Sequence, residues 1–422
     1  MKKQGIVFVA FMICACDQSG ARLNSGTDSG SATPQTKLEA ADRDSQSSTV
    51  KPATAASTDH PPGCTAIDWN DYSPWVPEYT RYKHCNPITV TTNNEVISGC
   101  KFAPCYGGSS CTAITIVRGV TGVQIRDNLI QGYYGGTGIV AEGENDGLYI
   151  HRNYFTEFNG RSINIYNTRE VAVQNNRFHN LRGTGVNASA ILLNGSVGKR
   201  IDISWNRVLL KPANVSGGGS WTNDVFSIYE SGGTSPTEKL KIEGNIIVGG
   251  HAGMEHGDGI VVGDGCRKGN HVLVKNNKLI NSGLTGGITG SGGSDYLVEG
   301  NTIYSCPSVG REEWGAFRAG QQHSWVPDGC TRRDACDNVK WSYNKAHVRG
   351  IGTFGTPWNE LLDFGIGTGD QYVSCQNVIQ TGNQWKNASL TPDFVEKDFM
   401  NWCETSLHCP ADFTCSLGRC QK

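Results

Sequence analysis

The residues best suited to chemistry are acids that recur at a fixed spacing. Asp224-Val-Phe-Ser-Ile-Tyr-Glu230 and Asp258-Gly-Ile-Val-Val-Gly-Asp264 each carry an acid at both ends of a largely apolar run. Laid side by side without a gap, they put Asp224 beside Asp258 and Glu230 beside Asp264, a quadrilateral of four carboxyls. Two carboxyls facing one bond can share acid, base and nucleophile roles when they lie about 5 Å apart or somewhat further. His256, two positions before Asp258, would add a proton carrier near neutral pH, and Trp221 and Tyr229 would offer ring faces to a substrate. The plainer reading is that acids at strand ends accept bonds from the bends beside them. A second group, Trp314, Arg318 and His323, lies between Cys306 and Cys336 and sets aromatic rings beside cations. Rings stack on flat apolar faces and Arg grips carboxylates in paired bonds, although a disulfide-held surface loop would have the same composition. The alignment gives Arg318 the position of Val262 or nearby, facing inward, where a buried guanidinium needs a partner.

Such acids work together only if neighbouring segments stack, and an internal repeat says that they do. The pattern is apolar, any, apolar, two residues, Asn. It appears as Val123-Gln-Ile125 with Asn128, Leu148-Tyr-Ile150 with Asn153, and Val171-Ala-Val173 with Asn176. It returns with Asn206, Asn245, Asn277 and Asn301, and more loosely with Asn344 and Asn383. Apolar residues one apart point to the same side of a strand, so each copy supplies a short strand with one buried face. Asn tolerates a left-handed bend, and stacked copies can bond one another as a ladder. A second strand recurs between the asparagines, as in Ala113–Ile116, Ser162–Ile165, Ala190–Leu193 and Val225–Ile228. Two registered columns predict a solenoid from about Ile88 to Trp385, with loops thrown out from a bend wherever the interval lengthens.

At this point the chain resembles the right-handed parallel β-helix family that includes pectate lyases, polygalacturonases, alginate lyases and mannuronan epimerases. The resemblance implies an all-β, pectate-lyase-like solenoid that holds a polysaccharide or other glycan and cleaves it as a lyase or glycosidase. A non-catalytic, glycan-binding or adhesive surface protein is the alternative. It further implies calcium as a possible cofactor, with Asp258 and Asp264 as its ligands, and makes the run around Arg318 a track for sugar acids. The catalytic motifs of the better-known members do not carry over. Thr222-Asn223-Asp224 and His256-Gly257-Asp258 only partly echo polygalacturonase motifs, and the Arg-Ile-Lys motif of those enzymes is missing.

The ends and the composition set the compartment. Lys2 and Lys3 precede an apolar run, Ile6 to Ile13, too short to span a bilayer permanently, and Ala15-Cys16 resembles a lipobox. We expect residues 1–15 to be a signal peptide and Cys16 to carry lipid, tying a monomeric body to the bacterial cell envelope. Residues 16–63, rich in Ser, Thr and Ala, form a tether with a reach of roughly 35–40 Å. The solenoid follows at 64–386, then a cap at 387–402 in which Phe394, Val395, Phe399 and Trp402 lie across the last coil, then a Cys-rich module at 403–422. Sixteen cysteines, fourteen of them beyond Cys16, point to disulfides in an oxidising compartment, with Cys403, Cys409, Cys415 and Cys420 stapling the module. Lys plus Arg number 37 and Asp plus Glu 39, so no basic surplus exists to hold nucleic acid.

Overall fold

The repeat folds as its spacing requires. In Leu148–His151, Leu148 and Ile150 are buried while Tyr149 between them is only half-buried, and the same alternation recurs at Leu240–Glu243 and Val272–Lys275. Two residues further on, the chain turns through a left-handed residue and enters the asparagine. These corner residues, from Asp127, Arg152 and Asn175 to Gly382, have φ between +53° and +66°. The computed structural model describes residues 71–72, 75, 79–106, 111–132, 134–181, 189–210, 224–249, 258–264, 269–280, 286–290, 292–305, 317–322, 337–348, 362–363, 372–374, 377, 379–384, 390–401, 403, 406, 409, 414–416 and 419–421. All lie in the unit Ala53–Lys422.

Coil stacked on coil, the strands make three long parallel sheets. Sheet A runs from Lys83–Cys85 to Lys345–Val348, sheet B from Ile88–Val90 to Leu362–Asp363, and sheet C from Val96–Ser98 to Ile379–Thr381. One strand, Tyr372–Ser374, pairs antiparallel with Phe317–Gln322 at the edge of sheet B. No α-helix occurs among the described residues. Inward-facing residues stack in columns, such as Ile139, Ile163, Ile191, Phe226, Ile260 and Ile288 of sheet B, all fully buried. Each contributes about 1.5–3 kcal/mol of burial, and together they fill the interior of the coil.

Backbone groups at the corner between sheets C and A are satisfied by the asparagines. The Oδ1 of Asn176 accepts from both the backbone N–H and the Nδ2 of Asn153, each at 3.0 Å, and its own Nδ2 donates to the Ile150 carbonyl at 2.9 Å. The pattern repeats without a break from Asn128 to Asn383, and Cys100, which precedes the ladder, donates its N–H to Asn128 Oδ1. A shorter ladder of hydroxyls at the corner between sheets B and C joins Thr168, Ser196 and Ser231, all fully buried.

The outer flank of sheet A departs from simple alternation. In Ile246–Val248 all three residues are buried, so this strand is apolar on both faces. Leu209, Ile246, Val248, Ile280 and Tyr304 form a second apolar cluster outside the coil with Tyr72, Trp75, Val395, Phe399 and Met400. The C-terminal segment therefore does not lie over the last coil, as the sequence suggested. It lies along sheet A, where Leu209, Ile246, Val248, Ile280 and Tyr304 present an outward apolar stripe for Val395, Phe399 and Met400 to cover. Phe394 packs against the same cluster, and Trp402 is outside the described residues. Arg177 locks the arrangement. It is buried, donates through Nε to the Met400 carbonyl at 2.6 Å, and lies 5.1 Å from the centre of the Trp75 ring. Disulfides join Cys85 to Cys100, Cys105 to Cys111, Cys403 to Cys415 and Cys409 to Cys420, so the C-terminal module is stapled twice.

Candidate functional site

The corner from sheet C to sheet A is nearly constant in length, whereas the corner from sheet A to sheet B is where the chain expands. Segments 182–188, 211–223, 250–257, 281–285, 306–316 and 349–361 all fall between a strand of sheet A and the next strand of sheet B. Long connections on a rigid scaffold are where binding and catalytic groups concentrate, which directs attention to the outer face of sheet B. His256, Trp221 and Trp314 belong to these segments, and His323 to 323–336; all four lie outside the described residues, as does Cys16.

Strand irregularity positions the acids at the start of sheet B. Ala190 and Ile191 both sit in the core, as do Val225 and Phe226, so the alternation slips by one there. The N–H groups of Ala190 and Ile191 share the Val225 carbonyl, at 2.9 and 3.2 Å, as a bulge requires. Ser189 and Asp224 consequently fall on the outer side, followed by Asp258 on the next coil. The expected neighbourhood of Asp224 and Asp258 is present: the Asp258 N–H donates to Asp224 Oδ1 at 3.1 Å, and the Val225 N–H donates to the Asp258 carbonyl at 2.9 Å. Asp258 is buried and Asp224 half-buried.

The other side of the quadrilateral is different. Tyr229, not Glu230, pairs with Asp264, because a register shift at Gly263 inserts one residue. Gly263 has φ +69°, and a Cβ there would meet Tyr296 Oη at 1.7 Å and the Gly292 carbonyl at 2.0 Å, so the bulge requires glycine. Glu230 sits instead at the corner into sheet C with φ +47°, in the place that Asn167 and Gly195 hold on earlier coils. Asp258 and Asp264 begin and end one strand. Six residue steps put them on the order of 20 Å apart, too far to share a calcium ion whose ligands lie at about 2.3–2.6 Å. Among the described residues the only grouping of three or more metal-ligating side chains is Cys403, Cys409 and Cys420, and these sulfurs are in disulfides. Arg318 is in register with Thr289 and hence with Val261, one residue from the inward column of Val262.

Further residues of sheet B fall in line with those expected from sequence. Tyr166 and Asn194 precede Tyr229 and Asp264 in one column on four successive coils, and Arg161 and Ser189 share another that continues to Asp224. Between them Asn164 is buried, donates through Nδ2 to Tyr166 Oη at 2.9 Å, and has no protein donor for its Oδ1. The hydroxyls of Ser189 and Thr289 are likewise buried without a protein partner. The signal that could have found this face is its mixed polarity: the column beside the inward Ile column runs Thr115, Val140, Asn164, Leu192, Ser227, Val261 and Thr289, polar on alternate coils, where a covered sheet would carry apolar residues throughout.

Comparison with known families agrees with this geometry. A model described as "Right handed beta helix region" matches residues 86–303. The chain belongs to that family. No curated protein matches it at a significant level. Among solved structures, a PL6 alginate lyase complexed with a trisaccharide is 15% identical, with 79% of this chain and 82% of that chain covered and a TM-score of 0.35. The A-modules of the mannuronan C-5 epimerases AlgE4 and AlgE6 of Azotobacter vinelandii are 12% and 13% identical. Each covers 72% of this chain, with 87% and 90% of the respective A-module covered, at TM-scores of 0.28 and 0.29. Family membership fixes the coil architecture; the chemistry has to be read from the outer face of sheet B.

Proposed function

We propose that this protein acts on a polysaccharide laid along the outer face of sheet B, and that Asp224 and Asp258 are the pair that attacks its glycosidic bonds. The observation that carries the reading is their placement at the starts of neighbouring strands, in contact through the Asp258 N–H. Stacked strands are about 4.8 Å apart, close to the ~5–5.5 Å between the carboxyls of retaining glycosidases. In that chemistry one carboxylate attacks the anomeric carbon while the other, protonated, delivers its proton to the leaving oxygen. Tyr166 and Tyr229, two coils apart in one column, supply ring faces along the same face. The carboxyl pair favours hydrolysis over elimination, which would need a base facing a sugar C5 proton.

The test is incubation of the purified protein with neutral and uronate-containing polysaccharides, following reducing ends and the absorbance of unsaturated ends. Reducing ends that disappear in Asp224→Ala and Asp258→Ala support the proposal. Unsaturated ends would replace hydrolysis by elimination, and full activity in either variant would remove that residue from the mechanism. One observation favours a second reading, glycan binding without turnover. Asp224 Oδ1 accepts the N–H at the start of the next strand, a structural duty that needs no chemistry. Glycan binding with no product would select it, and absence of glycan binding would dismiss both.

We further propose export and lipid attachment at Cys16, which places the body on the cell envelope. The disulfides among the described cysteines support an oxidising compartment. Mass spectrometry of the mature N-terminus tests this: an acylated Cys16 is expected, and an unmodified residue preceding it would overturn the proposal.

A further inference from the structure

A second groove lies on a different face of the solenoid. On the outer side of sheet C, Tyr149, Ala172, Asp202 and Lys241 occupy one position on four successive coils. Ala172 is the small member. Because it fills so little space, the surface dips between Tyr149 and Asp202, which are two steps of about 4.8 Å apart. The resulting hollow has a volume of about 420 Å³, within the range of small-molecule sites. Its walls are chemically unlike one another. At one end stands the Tyr149 ring, held in place by stacking on His151 at 4.0 Å between ring centres. At the other end Lys199, Lys239 and Lys241 gather with Arg200.

The acids along the groove do not neutralise this end. Glu170 lies 2.8 Å from Arg200, and Lys199 reaches Glu238 only at 3.8 Å with both side chains well exposed. Lys239 and Lys241 also line the hollow, and burial pushes the Lys239 ammonium down from its ordinary value against the opposing pull of Asp295. Asp202 is singular. Its Oδ2 accepts from Gln174 Nε2 at 2.8 Å, while its Oδ1 is buried without a protein donor. That buried oxygen is out of a ligand's reach, so a ligand that matched the groove would bring a flat apolar face for Tyr149 and an anion for the lysines. A sugar acid has both. Simple phosphate or sulfate polymers have the anion but no ring face.

We propose that the sheet C groove is a binding site for a carboxylate-bearing saccharide, distinct from the outer face of sheet B, with Tyr149 as its platform and Lys239 and Lys241 as its carboxylate clamp. The site does not depend on any bond being cleaved. It gives the protein a second grip on an acidic glycan.

Lysine footprinting on the intact chain reads this site alone. The protein is acetylated briefly with and without a hexauronate, the neutral cellohexaose, or inorganic polyphosphate at equal charge, and each lysine is quantified by mass spectrometry. Hexauronate should slow modification of Lys239 and Lys241 about tenfold, the effect of ~1.4 kcal/mol of binding above half-saturation. Lys83, on sheet A, and Lys397, in the C-terminal segment, should not change. Tyr149→Ala should remove the protection while leaving the melting temperature within a few degrees of the parent. Equal protection by polyphosphate, no protection by hexauronate, or full protection in Tyr149→Ala would each overturn the proposal. Because lysines of sheet C are read directly, loss of sheet B activity in Asp224→Ala or Asp258→Ala has no bearing on the outcome.

Discussion

Replacing Asn176 by Ala interrupts the asparagine ladder at a fully buried rung, and the bonds it makes allow the cost to be worked out in advance. Two donors of Asn153, its backbone N–H and its Nδ2, lose a common acceptor at 3.0 Å. The Ile150 carbonyl loses a donor at 2.9 Å, and Asn206 Oδ1 loses one of the two bonds it accepts from Asn176. Water cannot enter to replace them. With about 1–3 kcal/mol for each buried group left unsatisfied, and partial relaxation, the loss should be about 3–5 kcal/mol. The same substitution at Asn383 removes bonds of the same kind, to Asn344 and the Trp341 carbonyl, at a half-buried rung where solvent can substitute. It should cost about 1 kcal/mol. Urea unfolding of the purified protein under non-reducing conditions, followed by tryptophan fluorescence, gives both values. The double variant Asn153→Ala with Asn176→Ala should cost less than the sum of the singles, since the stranded donor and its missing acceptor leave together. A loss below 1 kcal/mol for Asn176→Ala, or equal losses at the two rungs, would refute the reasoning.

Other expectations follow from the same contacts. Phe399→Ala empties a position edge-on to Tyr72 at 6.0 Å between ring centres and should release the C-terminal segment, at about 3–5 kcal/mol, seen as new binding of a hydrophobic dye and faster proteolysis after Leu390. His151 is buried and its pKa is held down at about 4, so the unfolded chain binds more protons than the folded one between that value and the ordinary 6.5. Stability should therefore be complete above pH 6.5 and fall by about 2–3 kcal/mol as pH drops toward 4; His151→Gln should flatten that part of the melting profile, and an unchanged profile would show that His151 is not its source. Gly263→Ala forces a Cβ against Tyr296 Oη and the Gly292 carbonyl. It should lower the melting temperature by several degrees and, if Asp264 contributes to glycan binding, weaken that binding more than Val261→Ala does; no thermal change would mean that the bulge can shift freely.

The coil was legible because each of its parts carries a local signal. Two apolar residues one apart, two positions and an asparagine specify a strand, a left-handed corner and a ladder rung with no long-range information, and even the looser copies at Asn344 and Asn383 take their rungs. The pairing of Asp224 with Asp258 was legible for the same reason. The pairing of Glu230 with Asp264 was not, because an ungapped alignment cannot register an inserted residue; Gly263 opposite Tyr229 was the available clue, glycine inside a strand being the usual mark of a bulge. Arg318 comes into register with Val261, next to the expected position of Val262, although long segments separate its strand from its neighbours. The place of the C-terminal segment was hidden differently. Arg177 and Met400 meet across most of the solenoid's sequence, and no periodicity announces such a contact. What the sequence did contain was the flank awaiting cover: Ile246-Ile247-Val248 is too apolar for a strand with one wet face.

That covered flank has a consequence for the order of assembly. A solenoid can wind up as it is made, each coil templating the next, and the coils that carry Tyr154, Leu209, Val248 and Tyr304 are complete long before Val395, Phe399 and Met400 leave the ribosome. During that interval the apolar stripe on sheet A faces solvent or a neighbouring chain. The residues that hide it are made after every coil they cover, and Arg177 waits for a carbonyl more than two hundred residues downstream. A chain stopped before Val395 would therefore be a wound but sticky rod, its apolar flank open to proteases and chaperones.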